Sequence, residues 1–248
     1  MKEFNQIYCE DCYEGMKEIP DQSIDLVITD PPYGTTACDW DHKIDIEGMF
    51  SEILRVSKEN AAIVIFSQLP FAVDLINAQR KLFRYEWIWE KSIAVGFMNV
   101  KKMPLRAHEN ILVFYRKLPT YNPQFRQGEP YISLPAKRDC PIYNLPSRIP
   151  TISDGNRYPR DLIKMGKGKS VGHPTAKPLE LVKYLIKTYS NEGEVVLDPF
   201  AGSCPVAVGC LELNRKYICF ERESKYVEIG NERIKKYLST PKQTSLIA

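Results

Sequence analysis

The chain has 248 residues, 44% hydrophobic and 26% charged, with a formal net charge of +3. That length suits one α/β domain, or one domain carrying an inserted segment, and so mild a positive balance does not by itself point to a nucleic-acid partner. No apolar run reaches the roughly 20 residues of a membrane helix, and the opening MKEFNQIYCED has no signal-peptide core, so no membrane partner and a cytoplasmic location are expected.

Taken in chain order, NQIYC (Asn5–Cys9), IDLVIT (Ile24–Thr29) and AAIVIF (Ala61–Phe66) read as buried strands. Between the second and third, Ile46, Met49, Phe50, Ile53 and Leu54 fall on one helical face. FRYEWIWE (Phe83–Glu90) and ENILVFYR (Glu109–Arg116) alternate and are rich in aromatic residues, so they read as two more strands. Pro178 suits the first turn of a helix that carries Leu179, Val182, Ile186 and Tyr189. A strand EVVLD (Glu194–Asp198), a helix from about Ser203 to Leu213, a strand KYICF (Lys216–Phe220) and a helix from Ser224 complete the series. Strands alternating with helices at this spacing predict a Rossmann-like, doubly wound, mostly parallel sheet, here of seven strands.

The stretch Lys117–Gly172 breaks the pattern. Eight of the 18 prolines lie in it, apolar periodicity fades, and from Leu118 to Ser170 nine basic residues face four acidic ones. At about 55 residues it is too long for an ordinary connection.

Cys9 and Cys12 form a CxxC without a second pair, and the seven cysteines are scattered. They read as reduced thiols rather than zinc ligands, and no metal site is expected. MGKGKS (Met165–Ser170) ends like a phosphate-binding loop but lacks the glycine five positions before Gly168.

Ligands of an open α/β sheet sit at the carboxyl ends of its strands. Two such ends carry Asp-Pro, at Asp30-Pro31 and Asp198-Pro199. Proline fixes φ and has no N–H, so Asp30-Pro31-Pro32 is a stiff corner rich in acceptors. The Asp30 carboxylate and the Pro31 carbonyl are able to accept both hydrogens of one –NH2 group, and Tyr33 adds a face for stacking. A plain strand-ending turn has the same composition, so the corner alone leaves the reading open. Downstream, Glu221 follows Asp198 at the spacing of the acidic residue that holds ribose hydroxyls in nucleotide-binding βαβ units.

Three motifs in order, DPPYG (Asp30–Gly34), HPTAKP (His173–Pro178) and DPFAGS (Asp198–Ser203), resemble the beta group of DNA amino-methyltransferases, whose motif order is circularly permuted. The resemblance implies methyl transfer from S-adenosylmethionine to adenine N6 or cytosine N4 of double-stranded DNA. Asp at the first position of the first motif favours adenine. It implies a catalytic set of Asp30, Pro31, Pro32 and Tyr33. It also implies a cofactor set of Asp11, Cys12, Thr175, Lys177, Asp198, Phe200, Ala201, Gly202, Ser203 and Glu221, with Thr175 and Lys177 at the methionine end.

The implied domains are a catalytic half (1–116), an inserted target-recognition region (117–172) and a cofactor-binding half (173–248). Lys101, Lys102 and Arg106 are expected near DNA phosphates. A homodimer is compatible with the resemblance, as are a prokaryotic or phage source and a role in restriction-modification. Three positions depart from the family pattern: Cys204 and Pro205 stand where Gly-Thr is usual, and Ala176 where glutamine is common. Cys204 raises the alternative of a DNA-binding relative with impaired catalysis. Methylation of an RNA or a protein amide is a further alternative, which the basic insert disfavours.

Overall fold

Short polar side chains set where the first elements begin and end. The computed structural model describes residues 1–34, 44–133, 150–166 and 176–239. Strand β1 (Gln6–Cys9) leads to helix α1 (Cys12–Lys17), which Asp11 caps by accepting from the Tyr13 amide at 2.8 Å. Strand β2 (Ile24–Thr29) ends at Asp30. Helix α2 (Ile46–Val56) is capped by Asp45, which accepts from the Gly48 amide at 3.0 Å, and buries Met49, Phe50, Ile53 and Val56. Strand β3 (Ser57–Ser67), helix α3 (Phe71–Ala78), strand β4 (Phe83–Val95) and strand β5 (Arg106–Phe114) follow.

Residues Pro123–Arg160 form a compact unit of their own. Within it β6 (Arg126–Gln127) pairs with β9 (Asn156–Arg157), and β7 (Tyr131–Ser133) with β8 (Thr151–Ser153), both antiparallel. The Arg157 guanidinium lies 4.7 Å from the Tyr131 ring centroid and donates to the Glu129 carbonyl. This unit is shorter than the 117–172 segment marked out by composition. Lys137, Arg138 and Arg148 of that segment lie outside the described residues.

The chain then returns to the larger unit as β10 (Leu162–Met165). Helix α4 (Leu179–Tyr189), strand β11 (Val195–Asp198), helix α5 (Pro205–Glu212), strand β12 (Lys216–Glu221) and helix α6 (Ser224–Ser239) close the fold. Pro178 is the residue before the first turn of α4 rather than within it.

The strand order is β1-β12-β11-β2-β3-β5-β4-β10. Only β5 runs against its neighbours, β3 and β4. The seven expected strands are all in this sheet, and β10 is the eighth, parallel to β4 with Ile163 beside Trp89. Composition hid it because it is four residues long and buries only Ile163. The alternation along β2 covers both faces. Leu26 and Ile28 pack with Leu181, Leu185 and Ala207 from α4 and α5. Val27 packs with Met16, Phe50 and Leu75 from α1, α2 and α3. Among the described residues no helix is long and apolar enough to cross a membrane.

One polar contact pins β4 to α4. The Trp87 indole N–H donates to the Tyr189 hydroxyl at 2.6 Å, and the Tyr85 hydroxyl lies 2.8 Å from the same oxygen. Tyr189→Phe leaves the indole N–H without that acceptor, a loss expected to lower the unfolding free energy by about 1–3 kcal/mol. Urea denaturation measures it, and an unchanged midpoint would refute the structural weight given to this bond.

Candidate active site

Parallel pairing of β2 with β11 sets Leu26 beside Val196 and Val27 beside Leu197. The two strands therefore end together, and their Asp-Pro corners face one cavity of about 520 Å³, a volume in the range of small-molecule sites. Asp30, Pro31, Pro32, Tyr33, Asp11, Cys12, Lys177, Asp198, Phe200, Ala201, Gly202, Ser203 and Glu221 all line it. Thr175 lies outside the described residues.

At the first corner the Tyr33 hydroxyl donates to Asp30 Oδ1 at 2.6 Å, and the Tyr33 ring stacks on Phe71 with centroids 5.3 Å apart. The Lys177 ammonium contacts Asp30 Oδ2 and lies 3.3 Å from Glu109 Oε2. Burial acts to strip the Lys177 proton, yet Asp30 and Glu109 reverse that and hold its pKa above the usual lysine value. Burial pushes the Asp30 carboxyl upward, against the pull of Lys177. Glu109 is held below the usual carboxylate value: its burial is outweighed by Lys177 and Lys91.

At the second corner Asp198 is buried and accepts from the Phe200 amide at 3.2 Å. The loop is tied to β12 by the Ala201 amide, which donates to the Phe220 carbonyl at 2.9 Å. The Gly202 amide donates to one Glu221 oxygen at 2.7 Å and the Glu223 amide to the other at 2.8 Å. Each of those oxygens keeps a further lone pair. Asp11 already caps α1, and the neighbouring Cys12 thiol is pushed up to about 12 by burial. Among the described residues no group of three His, Cys, Asp or Glu side chains is placed to hold a metal ion.

The position of Cys204 is unusual. Its backbone is left-handed, at φ 57° and ψ 47°, immediately before Pro205 opens α5. This is a conformation glycine takes without strain and a side chain does not. The Cys204 side chain is fully buried, and the room for it comes from α6. A Cβ added at Gly230 would lie 2.6 Å from the Cys204 Sγ and 3.0 Å from its Cβ. The same helix sends Arg233 to the Ser203 carbonyl.

Several wall residues carried no signal in the sequence pattern. Glu109 sits on a strand read only for its apolar alternation, and Gln68 and Lys91 read as surface polar residues. A charged residue inside an otherwise apolar strand such as HENILVF is the clue that would have raised Glu109.

Two measurements follow from this geometry. Gly230→Ala is expected to cost about 1–3 kcal/mol by overpacking, and the cost is expected to shrink by at least about 1 kcal/mol in a Cys204→Gly background. A double-mutant cycle in urea reads the coupling, and additive losses would contradict the fit of these two positions. Burial also raises the Asp198 carboxyl to about 8. Below about pH 4 the group is protonated whether the chain is folded or unfolded. As pH climbs from there to about 8, the unfolded chain gives up its proton and the folded chain does not, so stability falls. Asp198→Asn lacks this titration, so the melting temperature of the variant minus that of the wild type should grow across that interval. A flat difference would refute the shift.

The comparisons with known proteins agree with this architecture. The DNA methylase family profile matches residues 24–232. The chain is 27% identical over 242 residues to the type II methyltransferase M.HpaI of Haemophilus parainfluenzae, covering 92% of this chain and 74% of that one. It is 28% identical over 248 residues to the DNA adenine methyltransferase YhdJ of Escherichia coli K12, covering 90% and 80%. Among solved structures, the PvuII cytosine-N4-specific DNA methyltransferase has the same fold, with a TM-score of 0.68 at 16% identity over 92% of this chain and 85% of that one. So does M1.HpyAVI in its S-adenosylmethionine complex, with a TM-score of 0.65 at 21% identity over 92% and 98%. Match and site together place this chain in the DNA N6/N4 methyltransferase family.

Proposed function

We propose that the chain methylates the N6 amine of adenine at specific sites in double-stranded DNA, using S-adenosylmethionine. The observation that carries this reading is the meeting of the Asp30-Pro31 corner and the Asp198–Ser203 loop in one cavity. Asp at the first position of DPPY, and a relative named as an adenine methyltransferase that aligns with 90% of the chain, support adenine over cytosine.

The residues fit S-adenosylmethionine on chemistry. Asp11 and Glu221 give the cavity an acidic side, suited to a ligand that carries a positive sulfur and an ammonium group, and such a ligand would favour the ionised form of Asp198 beside them. The free lone pairs of Glu221 suit a ribose diol, and Gly202, at φ 50°, lets the backbone come close to a ligand. Bound there, S-adenosylmethionine supplies an electrophilic methyl group and leaves as the neutral thioether.

The protein's own part is to make a poor nucleophile better. The lone pair of a base amine is delocalised into the ring. Acceptance of its two N–H bonds by Asp30 and the Pro31 carbonyl draws the nitrogen towards a tetrahedral shape and localises that pair. Tyr33, now hydrogen-bonded to Asp30, supplies the aromatic face for the base. The released proton leaves to Asp30 Oδ1 or to solvent at the cavity mouth.

A base in a duplex reaches such a cavity only after leaving the stack, at a cost of roughly a few kcal/mol. The hairpin between β4 and β5 is placed to meet the DNA. Ile93, Val95 and Arg106 line the cavity, and Phe97 and Met98 are exposed at the tip beside Lys101 and Lys102. We assign phosphate contacts to Lys101, Lys102 and Arg106, and target recognition to the basic segment 117–172.

Asp30→Ala is expected to lower methyl transfer at least about 10³-fold while S-adenosylmethionine binding, measured by titration calorimetry, stays within a few-fold. Expression in a methylation-deficient host followed by modification-sensitive sequencing should show N6-methyladenine within one short motif. N4-methylcytosine there would overturn the choice of base, and unmodified DNA would overturn the enzymatic reading.

A further inference from the structure

The two oxygens of Asp30 have different neighbours. Oδ1 accepts from the Tyr33 hydroxyl at 2.6 Å, whereas Oδ2 is in contact with the Lys177 ammonium. Lys177 is itself held from behind. Glu109 Oε2 lies 3.3 Å from its nitrogen, and both side chains are only 7% exposed. The other Glu109 oxygen contacts Lys91 and accepts from the Gln68 amide at 3.2 Å. Gln68 in turn accepts from Arg106 at 2.8 Å. The Lys177 ammonium also lies 5.2 Å from the centroid of the Phe66 ring.

Resting on the function proposed above, we propose that Lys177 and Glu109 are positioning residues: Glu109 seats the Lys177 ammonium on Asp30 Oδ2 and thereby reserves Oδ1 for the amine of the target base. The two oxygens are not equally open to exchange. Withdrawal of Lys177 would leave two carboxylates in the cavity wall without their shared cation, which is strongly unfavourable. Displacement of the Tyr33 hydroxyl exchanges one neutral donor for another and releases the ring to stack.

Glu109 has a second effect. Two carboxylates, Asp30 and Glu109, face two ammonium groups, Lys177 and Lys91. The cluster is therefore balanced, and Lys177 does not neutralise Asp30 alone. An Asp30 wholly claimed by one lysine would accept weakly from a neutral amine. The groups that face Asp30 are Tyr33 from its own corner, Glu109 from β5, Lys177 from the segment before α4 and Asp198 from the end of β11. Lys91 of β4 acts through Glu109.

The cluster dictates shifts of opposite sign. Lys177→Met removes the cation that favours ionised Asp30, so the acid limb of the rate–pH profile should move up by about one unit. Glu109→Gln removes an anion that disfavours it, so that limb should move down. Single-turnover transfer of tritiated methyl groups to unmethylated plasmid DNA gives both profiles. The rates at pH 8 should fall about 100-fold for Lys177→Met and about 10-fold for Glu109→Gln. Lys177→Arg, which keeps the charge, should recover part of the loss.

S-adenosylmethionine binding by equilibrium dialysis should stay within about threefold of wild type in both variants, because the Lys177 ammonium, which the motif resemblance implied at the methionine end of the cofactor, is taken up here by Asp30 and Glu109. Lys91→Met/Glu109→Gln removes one charge of each sign and should still shift the limb down, which answers the objection that Glu109→Gln merely unfolds the wall. Unshifted limbs, shifts of the same sign, or a loss of cofactor affinity beyond about tenfold would each overturn the proposal. A wild type that transfers no methyl to DNA would instead overturn the function on which it rests.

Discussion

The pairing of β2 with β11 is the contact on which the site depends. These strands come from opposite ends of the chain and meet in the middle of the sheet, each flanked by parallel neighbours and covered on both faces. Because side chains alternate across a strand, a slip of one residue would turn every inward side chain to the other face. The register is fixed by Leu26, Val27 and Ile28 on one strand and by Val196 and Leu197 on the other, all at 0% exposure. Packing energy spent deep in the sheet thus sets the position of two polar corners at its edge.

Those corners bring a concentration of charge that the core would otherwise exclude. Asp198 has no cation beside it among the groups that shift it, and burial raises its proton affinity against the pull of the Thr29 hydroxyl and the Phe200 amide. Asp30 is treated differently, because Lys177 brings a compensating positive charge into the wall with it and Glu109 in turn balances Lys177. Buried ion pairs add little net stability. Their presence beside one corner and not the other is better understood as function retained against stability.

How much of this was legible in the sequence depended on whether the signal was local. The apolar runs of β2, β3 and β11 announced buried strands, and the Asp-Pro corners were visible because proline and aspartate shape the backbone where they stand. Helices α1 and α3 escaped notice because six and eight residues are too few to establish a period. Strand β10 escaped because an edge strand with one buried residue has almost no pattern. The link between Lys177 and Glu109 joins positions 68 apart in the chain, and no spacing rule connects them. Placing HPTAKP beside the cofactor loop was a motif-level expectation. The contact of its lysine with Asp30 needed the three-dimensional packing of the segment before α4 against β5.

The fit between Cys204 and Gly230 has a bearing on how this chain can change over time. Glycine at 204 would relieve a left-handed backbone and add no atoms, at the cost of the space that the buried Cys204 side chain fills. A side chain at 230 is opposed on two sides, because its first carbon would lie 2.6 Å from the Cys204 sulfur and 2.9 Å from the Ile7 Cδ1, both closer than van der Waals contact. The cysteine in the loop therefore makes a helix position 26 residues downstream on α6 still less tolerant of a side chain. The two sites do not drift independently: glycine at 204 would remove the sulfur contact, and the end of the Ile7 side chain would still have to shift before 230 could vary.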